Sequence, residues 1–452
     1  GHGISWLTDL VKSSKSLLFW GTKEKLWSEG LKSSQCTTAA KYTNVFISSF
    51  LAANIKEQKG VDWSGTQTQF GQLMNQLKSV PFNFYRRTPN SRAFYVTYKG
   101  IFSQDAGGCY RQIFEDITGE IQSTMLPIFV KCPNARMQTG ENEEIWVPRS
   151  MQGLASKDRQ SVTRMYEFLG KLMGLAIRTT MYMALNFSAV TWKPLVSEKV
   201  TLVDVEGIDS LVRKEIKRMD KIQNQTTKEE FDKEMQTVKF EACLSDGKVV
   251  ELIPGGSHVS IQWNNRERYI KALTKIRTTE FDEQCSFMLR GLATVVPYQL
   301  LTLFKWTELR DQVCGSVSID LELLKSNTFL AGFDRKSRKI TQKTPHIRRF
   351  WKMMERMTNE ERSQVLFFVW GRTRLPANKA GFEQKFTIQA CPKSFKNPDK
   401  YLPIAHTCFF QMELPEYSNV DVMYEKFMKA VTFCRDIDGD NTQAARNAAA
   451  MR

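Results

Sequence analysis

The chain has 452 residues, 42% of them hydrophobic and 25% charged, which is typical of a folded globular protein with room for two or three domains. No apolar run approaches the ~20 residues of a membrane span, and no charged leader opens the chain, so we expect neither a membrane anchor nor a secretory signal. The net charge of +16 comes from dispersed basic residues without an Arg-rich tract, zinc finger or aromatic-basic repeat, so we expect no nucleic-acid function.

Residues 1–90 are predicted to form a helical N-terminal extension. Apolar residues recur at helical spacing over 44–55 and 70–77, and three tryptophans need a neighbouring domain to cover them. Beyond this extension, 93–98 is predicted to be a strand and 110–122 a helix. Gly107 and Gly108 precede that helix as in phosphate-binding loops, but no Gly-Lys-Ser/Thr follows, so a tight turn at 105–108 is the better interpretation.

Residues 91–327 are predicted to form the largest domain. Its clearest helix is 158–180, whose broad apolar stripe indicates a core position. A charged and weakly periodic region follows to about residue 235. A strand, turn and strand are then predicted over 238–261, and helical patterns resume over 265–304.

A hinge is predicted at 328–334, where Gly332 and short polar residues interrupt the pattern. Residues 335–452 then form a small C-terminal domain. Its predicted helices lie around 347–357, 365–370 and 419–433, and its strands at 386–388 and 409–412. Residues 444–452 are alanine-rich and predicted to be a loose helix or tail.

The nine cysteines and four histidines limit the metal sites that the chain can form. No two cysteines form a Cys-x-x-Cys pair, so we expect no structural zinc site and predict no metal or cofactor. An odd number of scattered cysteines suits a reducing compartment. We therefore expect the protein in the cytoplasm, with the nucleus as a second compartment.

Cys408 stands out because it lies in the segment LPIAHTCFF (402–410). Pro403 restricts the approach of the chain, and Phe409 and Phe410 can begin a strand that anchors the loop to a core. His406 lies close enough in sequence to influence the ionisation of the thiol. These features suit a nucleophilic cysteine, and the alternative is a small buried hydrophobe at a strand edge.

Further segments recur in the order of a known family. They are DAGG (105–108), FLGKLMGLAIR (168–178), EFDEQ (280–284), VCG (313–315), FW (350–351), FVWGRTRLP (368–376), AHTCF (405–409) and LPEYS (414–418). Over about residues 80–435, the chain resembles the HECT family of ubiquitin ligases. The FVWGRTRLP form and LPIF (126–129) resemble its HERC group.

The resemblance implies an α/β, bilobal HECT fold. A large, mainly helical N-lobe would recruit a ubiquitin-conjugating enzyme, and a small α/β C-lobe would carry the cysteine beyond a flexible hinge. Ubiquitin would pass from the conjugating enzyme to Cys408 as a thioester, and then to a lysine of a protein substrate. The implied partners are a ubiquitin-conjugating enzyme, ubiquitin and protein substrates.

The same resemblance suggests roles for individual residues. Cys408 would be the nucleophile, while Thr407 and His406 would orient the loop or donate hydrogen bonds to the developing oxyanion. Arg374 would lie at the lobe interface. The alternatives are a structural hydrogen bond for His406 and a surface charge for Arg374.

The groove for the conjugating enzyme is expected around residues 200–252. Its candidate contact residues are apolar: Leu211, Val212, Ile216, Met219 and Ile222. The same side chains could instead pack the subdomain itself.

Two features depart from the family pattern. The chain continues over 436–452 without the aromatic residue that assists catalysis near the terminus of many members. The acid that would deprotonate the substrate lysine is not evident, since Asp399 and Glu416 are better interpreted as surface carboxylates. Two alternatives remain at this point: a cysteine hydrolase acting on ubiquitin conjugates, and a catalytically silent HECT-fold scaffold.

Overall fold

The computed structural model describes residues 15, 17–36, 43–89, 91–100, 108–139, 142–225, 227–316, 318–332, 341–376, 379–382 and 384–433. The described part combines many helices with short strands, in agreement with the predicted α/β class. None of its helices has the length and apolarity needed to cross a bilayer. Most of the predicted turn at 105–108 and all of the predicted tail at 444–452 lie outside the described residues.

The first elements are α1 (Trp20–Ser33), β1 (Thr43–Ile47), α2 (Ser49–Glu57), α3 (Gln69–Gln76), a 3-10 turn (Phe82–Tyr85), β2 (Phe94–Tyr98) and α4 (Gly108–Ile121). The predicted strand at 93–98 and helix at 110–122 are confirmed by β2 and α4. The predicted helix at 44–55 is wrong at its start, because β1 pairs in parallel with β2. Val45 and Ile47 are buried while Phe46 is exposed, an alternation of period two that favours a strand.

The chain continues through β3 (Phe129–Lys131), α5 (Pro133–Met137), β4 (Trp146–Pro148), α6 (Ser156–Thr179) and α7 (Ala189–Leu195). Helix α6 confirms the helix predicted at 158–180. Fifteen of its residues, from Ser161 to Thr179, are buried. A helix with so wide a buried surface belongs at the centre of a core rather than on its edge.

A separate small subdomain follows. It consists of α8 (Leu202–Glu206), α9 (Ser210–Gln225), α10 (Lys228–Met235), β5 (Glu241–Cys243), β6 (Val249–Glu251) and α11 (Arg266–Thr279). Strands β5 and β6 form the predicted hairpin, and Gly247 in its turn has φ +90°. The apolar cluster of this subdomain includes Met219, Phe231 and Tyr269 and is distinct from the main core.

The main core is completed by α12 (Asp282–Val295), α13 (Tyr298–Leu301) and α14 (Trp306–Cys314). Helices α6 and α12 approach each other at two glycines. A Cβ on Gly170 would lie 1.9 Å from the carbonyl oxygen of Met288, and one on Gly291 would lie 1.9 Å from that of Glu167. The buried members of this core run from Trp27 to Cys314, so the described part of residues 1–90 shares it.

The C-terminal elements are α15 (Leu321–Ser326), β7 (Thr328–Ala331), α16 (Pro345–Arg356), α17 (Asn359–Trp370), β8 (Phe386–Ala390), β9 (Ile404–His406), β10 (Gln411–Leu414) and α18 (Val420–Phe433). The strands form one sheet in the order β7-β8-β10-β9. The pairs β7/β8 and β8/β10 are parallel, whereas β9/β10 is antiparallel. A second core, with buried members from Ile319 to Val431, fills the space between this sheet and its helices.

The hinge predicted at 328–334 is wrong where the structure describes it. Thr328–Ala331 is β7, whose ladder to β8 fixes it within the C-terminal sheet. The buried members of the main core instead end at Cys314, and those of the C-terminal core begin at Ile319. Gly315, between these two residues, has φ +71°, a conformation that glycine adopts without steric cost. The chain therefore changes core between Cys314 and Ile319, about ten residues earlier than predicted.

Candidate active site around Cys408

Cys408 lies in the turn between strands β9 and β10. Thr407–Phe409 form a single 3-10 turn, and the two strands pair with His406 opposite Gln411. The turn closes at Phe410, whose backbone is left-handed at φ 47° and ψ 50°. Cys408 is thus held at the end of a short antiparallel hairpin, on a sheet that is itself backed by the C-terminal core.

Phe410 anchors this turn. Its side chain is fully buried and stacks on Trp370 at 4.2 Å between ring centroids and on Phe386 at 4.9 Å. Its carbonyl oxygen accepts a hydrogen bond from Thr387 N at 2.9 Å. A left-handed conformation costs a bulky residue about 1–2 kcal/mol, so these contacts must hold it. Of the two phenylalanines predicted to anchor the loop, Phe410 does so, whereas Phe409 is 68% exposed. Neither begins the strand, which starts at Gln411.

His406 is oriented by a carboxylate. Its Nε2 lies 3.2 Å from Oε1 of Glu413, and the same oxygen accepts a hydrogen bond from Nε2 of Gln389 at 3.4 Å. In the register of the sheet His406 stands diagonally across from Glu413, so both side chains lie on one face. This contact is of the kind considered as the alternative role of His406, and the role of His406 toward the oxyanion stays a prediction.

The main core reaches the turn through Arg111, which the sequence reasoning missed. Arg111 lies on α4, and its Nη1 donates a hydrogen bond to the carbonyl oxygen of Thr407 at 3.1 Å. That oxygen and the Cα of Cys408 belong to the same planar peptide unit. The contact therefore docks the backbone next to Cys408 onto the main core. No local motif signals it, since the two residues are 296 positions apart.

Arg374 lies where the two cores meet. Its Nη2 donates a hydrogen bond to Oδ1 of Asn186 at 3.2 Å, and Asn186 belongs to the segment between α6 and α7. Close by, Ser316 N donates to the carbonyl oxygen of Leu375 at 2.9 Å. The structure thus places Arg374 against the main core rather than free in solvent.

Glu115 of α4 lies at the same contact between the two cores. Burial raises the pKa of its carboxyl to about 7, and the hydroxyl of Thr373 and the charge of Arg374 act in the opposite direction. Glu115 also lines a cleft of about 950 Å³ between α2 and α4 on one side and α17 and α18 on the other. The contact therefore contains a carboxyl group whose charge changes near neutral pH.

Most other thiols in the described residues are poor nucleophiles. Burial raises the pKa of four of them, Cys132, Cys285, Cys314 and Cys391. Because the thiolate is the reactive form, these four are structural. Cys243 is exposed, and Cys36 and Cys109 are partly exposed. Cys408 differs from these three in the hairpin and the two-sided support that position its backbone.

The residues predicted to contact a conjugating enzyme differ in exposure: some lie at the surface and others are buried. Leu211 is 41% exposed, and Ile216 is half-buried against the subdomain cluster. Val212 and Met219 are buried at 5% and 1% exposure, so the prediction is wrong for these two. Met219 belongs to the apolar cluster of the subdomain itself, which was the alternative. The side chain of Ile222 lies outside the described residues.

Of the two further carboxylates considered, Asp399 has a structural position. Asp399 accepts a hydrogen bond from Ser418 N at 2.9 Å, and this bonding lowers the pKa of its carboxyl, so it stabilises a turn. In the described part of the chain no three side chains of His, Cys, Asp or Glu come together in a way that could hold a metal ion.

Comparison with known proteins tests the family resemblance. A model of the HECT-domain (ubiquitin-transferase) family matches residues 115–437. The chain belongs to the HECT family. The match includes the Cys408 hairpin, Arg374 and Glu115, and it begins four residues after Arg111.

Similar proteins refine this assignment. E3 ubiquitin-protein ligase HERC2 of Homo sapiens is 35% identical over 83% of this chain, which spans 7% of the length of that protein. The probable E3 ubiquitin-protein ligase HECTD4 of Homo sapiens is 25% identical over 94% of the chain and 11% of its own length. E3 ubiquitin-protein ligase pub3 of Schizosaccharomyces pombe is 30% identical over 59% of the chain and 33% of its own length. This HECT domain is HERC-like, as predicted, and it spans a small fraction of its HERC2 and HECTD4 relatives.

Proposed function

We propose that this chain is the catalytic domain of a ubiquitin-protein ligase and that Cys408 carries ubiquitin as a thioester. The main support is the position of Cys408, at the end of the β9–β10 hairpin inside the family-matched residues. Its partners are then a ubiquitin-conjugating enzyme, ubiquitin and protein substrates. The free cysteines of the described residues suit the cytoplasm, which we propose as its compartment.

The proposed reaction consists of two acyl transfers. The sulfur of Cys408 attacks the thioester carbonyl of ubiquitin on the conjugating enzyme, whose own cysteine leaves and takes up the proton from Cys408. The amine of a substrate lysine then attacks the new thioester, forms an amide bond and returns a proton to Cys408. Dividing the transfer in this way replaces one difficult step by two of modest barrier.

The two cores correspond in this proposal to the two lobes. The main core and its subdomain form the N-lobe, and the core with the four-stranded sheet forms the C-lobe. Residues 315–318 connect them and serve as the hinge. Arg111 and Arg374 hold the lobes in the closed arrangement, and Arg111 does so at the peptide unit next to Cys408.

The surface for the conjugating enzyme lies in the proposal on the subdomain around residues 200–252. Leu211 remains a contact residue because it is exposed. Val203 at 73% exposure and Val249 at 63% offer further apolar surface within the same range. Exposed apolar side chains are what a partner can bury on binding.

Replacement of Cys408 tests the proposal. With activating enzyme, a conjugating enzyme, ubiquitin and ATP, the chain should form a ubiquitin adduct that a thiol reductant removes. Cys408→Ala should form none, and Cys408→Ser should form an ester that resists the reductant. Cys36→Ala is the matched control, because that thiol is partly exposed and lies outside both the Cys408 turn and the proposed surface for the conjugating enzyme, and its adduct should equal that of the wild type. An undiminished adduct in Cys408→Ala would move the nucleophile elsewhere.

The two alternatives drawn from the sequence are not favoured by the family match. A hydrolase would use the histidine oriented by Glu413 to activate water, and it would cleave ubiquitin chains without a conjugating enzyme. A silent scaffold would form no adduct under any of these conditions.

A further inference from the structure

The segment FVWGRTRLP contains two residues, Trp370 and Arg372, whose role the proposed function leaves unexplained. Trp370 is the last residue of α17, and Gly371 ends the helix in a left-handed conformation at φ 70°. Such a glycine reverses the chain direction, and the turn places the guanidinium of Arg372 over the Trp370 ring, 4.5 Å from its centroid. The two side chains therefore form a cation–π pair.

This pair lies directly beneath the turn that carries Cys408. Trp370 is fully buried and stacks almost parallel on Phe410, at 4.2 Å and 9°. Its ring also stacks on Phe382, at 5.8 Å and 12°. Phe410 is the left-handed residue that closes the Cys408 turn, so Trp370 supports the residue whose backbone conformation is costly.

Arg372 connects the same stack to the main core. It is 4% exposed, and its Nη2 donates a hydrogen bond to Sδ of Met181 at 3.6 Å. Met181 lies just after α6 and belongs to the main core. Burying a guanidinium is costly unless its surroundings compensate, so Arg372 is placed here by specific contacts rather than left at a surface. A continuous line of contacts thus leads from Met181 through Arg372, Trp370 and Phe410 to the turn.

We propose that Arg372 is a positioning residue, which acts through Trp370 and Phe410 to hold the Cys408 turn in its reactive conformation when the two cores are in contact. This inference rests on the proposed function for its consequence in ubiquitin transfer. The effect of Arg372 on the conformation of the turn does not depend on the proposed function, because it can be measured on the chain without ubiquitin.

Arg372→Met removes the charge and the planar stacking group at similar length. A buried cation–π contact is worth enough free energy to change a rate about tenfold, so single-turnover discharge of the Cys408 thioester onto free lysine should slow about tenfold. Arg348→Met is the matched control, since Arg348 is an exposed arginine of α16 in the same part of the chain, and its rate should equal that of the wild type. Thermal unfolding of every variant shows whether the fold is retained.

Alkylation of Cys408 by iodoacetamide, followed by peptide mapping, reports on the turn without ubiquitin. In Arg372→Met the alkylation rate of Cys408 should change at least about threefold, while that of exposed Cys243 stays constant. Should Arg372→Met fail to fold, Met181→Leu and Trp370→Phe replace it. Met181→Leu removes the sulfur acceptor at small cost in packing. Trp370→Phe removes part of the stacking surface and also leaves a cavity, so it is compared only if it folds. The effects of both variants should be smaller.

The inference is overturned by a folded Arg372→Met variant in which Cys408 has the wild-type alkylation rate and its thioester has the wild-type rate of discharge onto lysine. Wild-type behaviour of folded Met181→Leu and Trp370→Phe counts equally against it. Failure of the wild type to form any adduct would refute the proposed function alone, since the alkylation comparison would still decide whether Arg372 positions the turn.

Discussion

Replacing Arg111 with methionine should slow the transfer of ubiquitin from Cys408 to lysine. The variant removes the hydrogen bond from Nη1 to the Thr407 carbonyl oxygen, 3.1 Å in length, and keeps most of the apolar stem. A hydrogen bond from a charged donor contributes about 1.5–3 kcal/mol. Arg111 is half-buried, so we take the lower value, ~1.5 kcal/mol, which corresponds to about tenfold in rate.

The assay separates the two steps of the reaction. The chain is first charged with ubiquitin in a single turnover, and the thioester is then discharged onto free lysine. Arg111→Met should discharge about tenfold more slowly, whereas charging should change less, because in the proposed mechanism the lobes reorient to meet the conjugating enzyme. Arg111→Lys, which keeps the charge but not the planar fork, should recover part of the rate.

Arg164→Met is the control for the loss of one positive charge, because Arg164 is exposed on α6 of the same core. It should discharge at the wild-type rate. Equal discharge by Arg111→Met and the wild type, with both folded, would refute the reasoning. Slower charging with unchanged discharge would also contradict it, since the contact would then serve the other step.

Three further predictions concern stability and binding. The folded chain raises the pKa of Glu115 from 4.5 to about 7, so the stability due to this shift is present below pH 4.5 and lost as the pH rises to 7. The midpoint of thermal unfolding should therefore decrease more from pH 5 to pH 8 in the wild type than in Glu115→Gln, and equal decreases would contradict this prediction. Gly170→Ala should lower the free energy of unfolding by at least about 1–3 kcal/mol, because its Cβ would lie 1.9 Å from the Met288 carbonyl oxygen. A denaturant titration that gives the wild-type stability would show that α6 and α12 can move apart at no cost, against this prediction. Leu211→Ala should weaken binding of the conjugating enzyme in a titration without lowering the free energy of unfolding. Met219→Ala should lower the free energy of unfolding by about 2–5 kcal/mol. A destabilised Leu211→Ala and a stable Met219→Ala would contradict the exposure of the first side chain and the burial of the second.

The sequence predicted best where the signal was local and long. The helix at 158–180 and the hairpin around Gly247 were found because period and turn chemistry agree with burial in the structure. The strand β1 was mistaken for helix, since a five-residue alternation within a longer apolar pattern fits both periods. Its parallel partner β2 decides between them, and that partner lies about fifty residues further along the chain.

The predictions of the hinge and of the surface for the conjugating enzyme were wrong for a different reason. At 328–334 the glycine was given more weight than the three strand-forming residues before it, and only the pairing with β8 shows that they belong to a sheet. Val212 and Met219 are apolar in either role, and no local pattern separates a side chain that binds a partner from one that packs its own subdomain. Burial in the folded chain makes that distinction.

The candidate site itself was predictable in part. Cys408 and His406 follow from one short segment, and the carboxylate that orients His406 lies seven residues away. Arg111 and Met181 could not be found in this way, because they reach the turn from the other core. Contacts between distant segments depend on how the two cores meet, and this is a property of the whole fold.

The most direct test of the account is an alkylation map of the charged protein. The chain is loaded with ubiquitin, treated with iodoacetamide and digested, and the modification of each of the nine cysteines is measured by mass spectrometry. Cys408 should be protected in proportion to the charged fraction and become reactive again after a thiol reductant, with no such change at Cys243. Full alkylation of Cys408 in the charged protein, with protection at another cysteine, would contradict the account.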